Sequence, residues 1–201
     1  MTIPSRIDAA RILLDLEPPD WLLAHSAAVA EIAAFLADRI TARGRPVDVP
    51  LAEAAALLHD VDKLEPAAQL SHTLGHGAAG AAWLGGRGHP ELAEAVANHP
   101  ATRLAEPGAD AWLASASAEE LIVAYADKRA TQAVVTLDQR FDGWLERYAH
   151  RAAAIEQGRV RARQLEARVC ALAGVGPHEV VRLPWVAAAL AQARATGTSP
   201  P

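Results

Sequence analysis

The sequence predicts an all-α fold built as one domain. Hydrophobic residues make up 51% of the chain but aromatic residues only 4%, because alanine and leucine supply most of the apolar content. That composition favours helices over sheet, since strands are normally rich in aromatic and β-branched residues. Apolar residues also recur at three- and four-residue spacing between prolines and glycines, which is the pattern of amphipathic helices. We expect residues 1–201 to share a single core.

Proline and capping residues delimit the first two predicted helices. Residues 5–16 form a short helix that a pair of prolines ends, because proline cannot continue a helix. Asp20 is the predicted N-cap of a long helix that ends near Gly44. His25 shares one face of that helix with regularly spaced apolar residues, so its side chain is expected to point into the core.

The third predicted helix delivers a His-Asp pair. It starts around Pro50, which suits a first helical turn, and runs to about Leu58. His59 and Asp60 follow directly at its end. An imidazole nitrogen beside a carboxylate oxygen suits divalent first-row metals, although one such pair is a weak signal by itself.

The middle of the chain is predicted to be less regular. Residues 65–74 form a loose segment, and His76 opens a helix of small residues. Pro90 begins a further helix that places His99 at the end of an apolar stripe. Residues 100–116 are expected to form a long loop.

Helices are predicted for most of the remaining chain. Ser117 and Glu120 have the spacing of a capping box, and the helix that follows carries Asp127 within an apolar stripe. An unpaired carboxylate is costly to bury, so this aspartate needs a partner. Residues 138–172 are expected to be mostly helical, with a break near Gly143 or Gly158, and a short helix over 186–195 comes last.

Charge and cysteine usage exclude several classes of protein. A net charge of −5 argues against a sequence-independent nucleic-acid binder, which needs a basic surface. Cys170 is the single cysteine, so no disulfide can form within one chain and a reducing compartment fits best. Charged residues interrupt the N-terminal segment and every stretch long enough to span a bilayer. We expect a cytoplasmic protein with no nucleic-acid or membrane partner.

Six polar residues stand out because each lies on an apolar or alanine-rich helix or at its end. They are His25, His59, Asp60, His76, His99 and Asp127. Any one of these histidines could be a core residue that bonds a backbone carbonyl, and the second aspartate could form a buried salt bridge. A metal centre is the one hypothesis that explains all six together.

The order of these residues resembles the HD-domain superfamily of metal-dependent phosphohydrolases, over about residues 21–140. The motifs are Leu-Ala-His-Ser at 23–26, Leu-Leu-His-Asp at 57–60, His-Gly-Ala-Ala-Gly-Ala at 76–81, Asn-His-Pro at 98–100 and Tyr-Ala-Asp-Lys-Arg at 125–129. The chain looks most similar to the bacterial subfamily that hydrolyses diadenosine tetraphosphate symmetrically. It differs from that subfamily at Asp62, where an uncharged residue usually precedes the lysine. Asp62 would orient a metal ligand or simply cap a helix.

The resemblance implies an HD-domain bundle over about residues 20–140. The helices predicted beyond it form a C-terminal extension over about 141–195, and residues 196–201 are expected to be a flexible tail. The resemblance also implies two divalent transition metals per chain, drawn from iron, manganese, cobalt, nickel and zinc. One metal would be held by His25, His59, Asp60 and Asp127, and the other by His76 and His99, with Asp60 bridging the two.

The implied activity is cleavage of a phosphoester or phosphoanhydride bond in a small nucleotide or dinucleotide by metal-activated hydroxide. Asp60 and Lys63 would be the catalytic residues, and Lys63, Lys128 and Arg129 would contact the substrate. An HD-type di-iron oxygenase and a non-catalytic metal-binding sensor are the alternatives, although an intact ligand set argues against the sensor. The sequence leaves a homodimer open.

Overall fold

Helices from both halves of the chain surround a core made largely of alanine and leucine side chains. The computed structural model of the chain describes residues 3–196. The α-helices are α1 (Arg6–Leu14), α2 (Asp20–Ala42), α3 (Val49–Leu58), α4 (Ala68–Leu74), α5 (Ala78–Gly86), α6 (Ala93–Ala97), α7 (Ala109–Ser115), α8 (Ala118–Lys128), α9 (Leu137–Arg147), α10 (Ala152–Ala173) and α11 (Val186–Thr196). Residues 3–196 contain no β-strand, so the predicted all-α fold is confirmed.

Helix α2 is the central helix of the bundle and packs against α3 and α8. Small alanine side chains allow this close packing, and most of the helix is buried, including His25. By length and composition α2 is apolar enough to cross a membrane, but 67% of its most apolar stretch is buried inside the fold. Its hydrophobicity is therefore accounted for by its place in the core.

Helix α3 begins and ends as the sequence predicts. The Asp48 side chain accepts a hydrogen bond from the Leu51 backbone N–H, and a proline occupies the first turn. The helix ends at Leu58 after a run of buried residues. His59 and Asp60 therefore leave the helix at its buried end, with 0% and 2% of their surfaces exposed.

Helix α8 also has its predicted start. The Ser117 hydroxyl accepts a hydrogen bond from the Glu120 N–H, and the Glu120 carboxylate accepts one from the Ser117 N–H. Asp127 lies near the C-terminal end of this helix and is buried. The helix thus carries its one buried carboxylate into the centre of the fold.

Two segments predicted to be irregular contain helices. Helix α4 lies within residues 65–74, and residues 101–116 hold both a 3-10 helix, Ala101–Ala105, and α7. Helix α7 is fixed by tertiary contacts, because Trp112 is buried and its indole Nε1–H donates to Glu120. Such short helices depend on packing rather than on intrinsic propensity, so the sequence pattern did not reveal them.

The C-terminal extension packs back onto the bundle, with α10 against α8 and α2 and α11 against α1. Its predicted break is present, but it falls at the 3-10 turn Ala149–Arg151 rather than at a glycine. Thr196 still belongs to α11, and the rest of the predicted tail, 197–201, lies outside the described residues.

Candidate metal centre

The six predicted ligands converge from five separate parts of the chain. His25 comes from α2, His59 and Asp60 from the end of α3, His76 from the turn before α5, His99 from the segment after α6, and Asp127 from α8. Five of the six are buried, and the His76 side chain is 40% exposed. The fold therefore gathers residues that lie far apart in the sequence into one cluster with one open side.

The Asp60 carboxylate lies at the centre of this cluster, and each of its oxygens faces a different pair of histidines. Oδ2 is 3.5 Å from Nε2 of His25 and 3.2 Å from Nε2 of His59. Oδ1 is 3.4 Å from Nε2 of His76 and 3.5 Å from Nε2 of His99. A carboxylate in this position can bridge two neighbouring cations.

Asp127 adds a second carboxylate to one half of the cluster. Its Oδ1 lies 3.3 Å from Nε2 of His25 and 3.8 Å from Nε2 of His59. The donor atoms of His25, His59 and Asp60 lie within 4.8 Å of one another, and so do those of Asp60, His76 and His99. One half of the cluster thus offers four ligand residues and the other half three.

Each of the four histidines uses its Nδ1 atom to bond a fixed acceptor. Three of these acceptors are backbone carbonyls, of Thr131 for His25 at 2.8 Å, Ala56 for His59 at 2.8 Å and Val96 for His99 at 2.6 Å. A carbonyl can only accept, so these Nδ1 atoms carry the proton. Their Nε2 lone pairs therefore point at the carboxylates, as in metal-binding histidines.

The fourth histidine is oriented by a carboxylate. Nδ1 of His76 lies 3.0 and 3.1 Å from the two oxygens of Asp62, which is 3% exposed. The Gly77 N–H donates to the same carboxylate at 2.6 Å. Gly77 has a φ of +83°, and a Cβ there would lie 2.7 Å from the Pro100 Cγ, so only glycine fits. Of its two predicted roles, Asp62 has that of orienting a ligand.

Several nitrogen and oxygen atoms that could bind a metal lack a suitable hydrogen-bond donor within the protein. Nε2 of His59 and Oδ1 of Asp60 are buried without a hydrogen bond. Nε2 of His76 and Nε2 of His99 face each other at 3.2 Å. Unsatisfied buried acceptors are rare and call for an explanation, and bound cations would satisfy all of these atoms. The nitrogen-rich donor set suits transition metals better than magnesium.

The protonation states of Asp60, Asp127 and His99 suit cation binding. Burial disfavours ionisation of Asp60, but the surrounding imidazoles and the Lys63 ammonium outweigh it and hold the pKa of Asp60 well below its usual range. Burial likewise opposes ionisation of Asp127, and the charge of Lys128 outweighs it, so the pKa of Asp127 is also well below normal. Burial lowers the pKa of His99 to about 4, so this imidazole is neutral at pH 7.

Two cationic side chains border the cluster. The Lys63 Nζ donates to Oδ2 of Asp60 at 2.6 Å, and its side chain is 39% exposed. Nη2 of Arg140 lies 3.6 Å from Oδ1 of Asp127. Sequence reasoning singled out Lys63 but missed Arg140, which lies on α9 outside the recognised motifs. Its spacing from Trp144 indicates a shared helix face, yet nothing local shows that this face meets the cluster.

Lys128 is buried beside the cluster and contacts two of its residues. Its side chain is 0% exposed, and its Nζ donates to the backbone carbonyl of His99 and, at 3.0 Å, to Oδ2 of Asp127. Burial lowers the pKa of Lys128, and the neighbouring Asp127 carboxylate opposes that shift. This placement argues against the predicted contact of Lys128 with substrate and indicates that it positions Asp127.

Arg129 points away from the cluster. Its Nε donates to the Val135 carbonyl at 2.7 Å and its Nη2 to the Pro177 carbonyl at 3.0 Å. Its Nη1 contacts the Tyr125 hydroxyl and Glu166. With its guanidinium donors used in this way, the structure argues against the predicted substrate contact and indicates that Arg129 ties α8 to the C-terminal extension.

A cavity of about 740 Å³ opens over the cluster. Its floor includes Asp60, Lys63, His76 and Asp127, and its walls come from residues 100–107 and from α9 and α10. The volume lies within the range of small-molecule sites. The exposed side of the cluster therefore faces a space large enough for an organic ligand.

The contacts of Asp62 lead to a first prediction. Changing Asp62 to Asn should weaken metal binding in the His76–His99 half by about 10–100-fold, since an amide cannot accept from both His76 and Gly77 through two oxygens. Chelator-competition titrations with cobalt or manganese measure this loss. Asp38→Asn, at an exposed position on α2, is the matched control. Wild-type affinity in both halves of the Asp62→Asn protein would contradict the orienting role.

Comparison with known proteins agrees with the geometry. The family model described as the HD domain matches residues 22–132, which is more than half of the chain and contains all six clustered ligands. No curated protein and no solved structure matches the chain. The match is to the HD domain as a whole rather than to a subfamily. On this extent of similarity, and with the His-Asp pair at the centre of the cluster, the chain belongs to the HD domain family.

Proposed function

We propose that the protein is a metal-dependent phosphohydrolase that cleaves a phosphoester or phosphoanhydride bond in a small nucleotide or dinucleotide. One observation carries the proposal: the two oxygens of Asp60 face separate pairs of histidine Nε2 atoms beside an open cavity. Membership of the HD domain family supports metal-dependent hydrolysis. The nucleotide specificity is our inference from the cavity and its charges.

The cluster would hold two metals, drawn from iron, manganese, cobalt, nickel and zinc. His25, His59, Asp60 and Asp127 form one ligand set, and Asp60, His76 and His99 form the other. Paired divalent ions in such sites lower the pKa of water and neutralise phosphoryl oxygens. Within the protein, the hydrogen bonds to the Nδ1 atoms fix the ligand orientations before any ion binds.

The side chains around the cavity mouth would bind the phosphate. Lys63 lies at the cavity surface and can donate to an oxygen that does not react. Arg140 also lines the cavity, next to Asp127, so a phosphate above the cluster would have a cation on either side. This arrangement supports an anionic substrate in spite of the overall net charge of −5.

The size of the substrate follows from the same features. The negative net charge disfavours nucleic acids, and the cavity accommodates a small molecule.

With a single cysteine that is buried, the chain suits a reducing compartment. We propose that the reaction takes place in the cytoplasm and that its substrate is a small phosphorylated metabolite.

An activity panel tests the proposal. Protein loaded with manganese, iron or cobalt should release phosphate or mononucleotide from at least one mono- or dinucleoside phosphate. A chelator should stop the release, and added metal should restore it. If fully metallated protein hydrolyses none of them, the phosphohydrolase proposal fails. Oxygen uptake with an organic phosphonate or polyol would then favour the di-iron oxygenase.

Lys63 provides a more specific test. Lys63→Ala should lower kcat/KM by about ten- to a hundredfold, because a charge-assisted contact to phosphate is lost. The side chain is 39% exposed and is not a metal ligand, so bound metal should stay at the wild-type level. Lys63→Arg, which keeps the charge, should recover part of the loss. Full activity of Lys63→Ala would show that the lysine makes no contact with the substrate that matters for turnover.

A further inference from the structure

The cavity over the metal centre has a charged part and an apolar part. The cluster supplies the charged part, and the apolar wall comes from the C-terminal extension, which lies beyond the family match at 22–132. The apolar side chains larger than glycine that line the cavity from the extension are Phe141, Trp144, Tyr148, Ala154 and Ile155. Three of these five are aromatic in a chain that is only 4% aromatic. The concentration of rings at this place is therefore a feature of the site.

The aromatic side chains of this wall are held in a fixed arrangement. The rings of Phe141 and Trp144 meet edge to face, with centroids 4.9 Å apart and planes at 78°. Phe141 is 1% exposed and anchors the pair in the core, whereas Tyr148 is 40% exposed at the cavity rim. The Trp144 indole is thus supported by a core ring while it borders the cavity.

Arg140 connects the aromatic wall to the metal centre. Its guanidinium carbon lies 4.6 Å from the Trp144 ring centroid, and its Nη2 lies 3.6 Å from Oδ1 of Asp127. Its Nε is buried without a hydrogen-bond partner. The planar donor fork of arginine matches a phosphate, and Arg140 lines the cavity, so its guanidinium is placed to bind a phosphate above the cluster.

The rest of the lining distinguishes an aromatic ligand from an alkyl chain. Thr102, Glu106 and Arg151 also border the cavity beside the apolar wall. An alkyl chain would remove water from these polar groups without pairing them, which is unfavourable. A nucleoside presents a planar ring to the wall and hydroxyl and ring nitrogen atoms to the polar groups.

We propose that the C-terminal extension forms the substrate-selecting subsite, in which Trp144 stacks on the base of a nucleoside phosphate and Arg140 binds its phosphate. The inference rests on the proposed function, because it takes the phosphate to lie at the metal centre. It goes further in assigning base recognition to residues outside the HD domain match. Stacking on an aromatic side chain tolerates different bases, so the subsite selects nucleotides as a class.

Binding measurements test the subsite without depending on turnover. Isothermal titration calorimetry of the manganese-loaded protein compares adenosine 5′-monophosphate with ribose 5-phosphate, which has the same phosphate and sugar but no base. The variants are Trp144→Ala, Trp144→Phe and Arg140→Gln. Trp21→Ala is the control, because Trp21 is 52% exposed and does not line the cavity. Circular dichroism checks that each variant is folded.

We expect the adenine nucleotide to bind more tightly than ribose 5-phosphate to the wild-type protein. Trp144→Ala should reduce that advantage by about tenfold or more while affinity for ribose 5-phosphate is unchanged. Trp144→Phe should keep most of the advantage because it retains a ring. Arg140→Gln should weaken both ligands by a similar factor, since both carry the phosphate.

Equal affinity of the wild-type protein for the two ligands would overturn the subsite. An equal loss of affinity for both ligands in Trp144→Ala would also overturn it. These outcomes are separable from failure of the proposed function. If the expected binding pattern appears without hydrolysis of any nucleotide, the subsite stands and the phosphohydrolase proposal fails. If nucleotides are hydrolysed but the base adds no affinity, the phosphohydrolase proposal stands and the subsite fails.

Discussion

Replacing Asp60 with alanine should remove bound metal from both halves of the centre and reduce hydrolysis to background. The reason is geometric, because one Asp60 oxygen faces His25 and His59 while the other faces His76 and His99. No other residue of the cluster contacts both histidine pairs, one through each carboxylate oxygen. Metal content after anaerobic purification and desalting, together with nucleotide hydrolysis, measures the effect.

The matched control for Asp60→Ala is His178→Ala, an exposed histidine that is not part of the cluster. It should bind wild-type amounts of metal. Circular dichroism should show that Asp60→Ala stays helical, since removing a buried carboxylate also removes its desolvation cost. Undiminished metal in a folded Asp60→Ala protein would contradict the metal centre itself.

A His99→Ala variant should keep about half of the metal and lose most of its activity, by at least about a hundredfold if both metals are needed for hydrolysis. Its half of the cluster has only three ligand residues, so loss of His99 leaves Asp60 and His76. The fold should survive, because Lys128 donates to the backbone carbonyl of residue 99, which alanine retains. Metal analysis and circular dichroism on the same sample test both parts.

His25→Ala is the informative comparison for His99→Ala. The half that contains His25 has four ligand residues, and His59, Asp60 and Asp127 would remain to hold its metal. The His25→Ala protein should therefore keep more metal than the His99→Ala protein. Loss of all metal from His99→Ala, or its global unfolding, would contradict the division of the cluster into two sites.

Local sequence signals were sufficient at several helix ends but not at the start of α2, where the predicted N-cap Asp20 is the first helical residue and Pro19 holds the cap position without a side-chain hydrogen bond. The proline in the first turn of α3, the end of that helix at Leu58 and the Ser117–Glu120 capping box were all predicted and are all present. Prediction failed for α4 and α7, which are short and lie among prolines and glycines. For α7 the missing information was the contact of Trp112 with Glu120 and the core.

The candidate site shows the same division. The six candidate ligands could be identified because an imidazole or a carboxylate on an apolar helix is costly to bury unless it has a partner. The roles of the arginine side chains near the cluster could not be predicted from the sequence in this way. Arg129 follows Asp127 directly in the sequence, yet it bonds Tyr125 and backbone carbonyls away from the cluster, whereas Arg140 reaches Asp127 from another helix.

The sequence by itself determined the all-α fold and the residues able to bind metal, since both follow from helix periodicity and from the chemistry of single side chains. Only the tertiary structure decided that Asp60 lies between two histidine pairs, that Asp62 orients His76 and that α9 lines the cavity. These features depend on distances between helices that are remote in sequence. Such distances are set by how the core packs, and no local pattern encodes them.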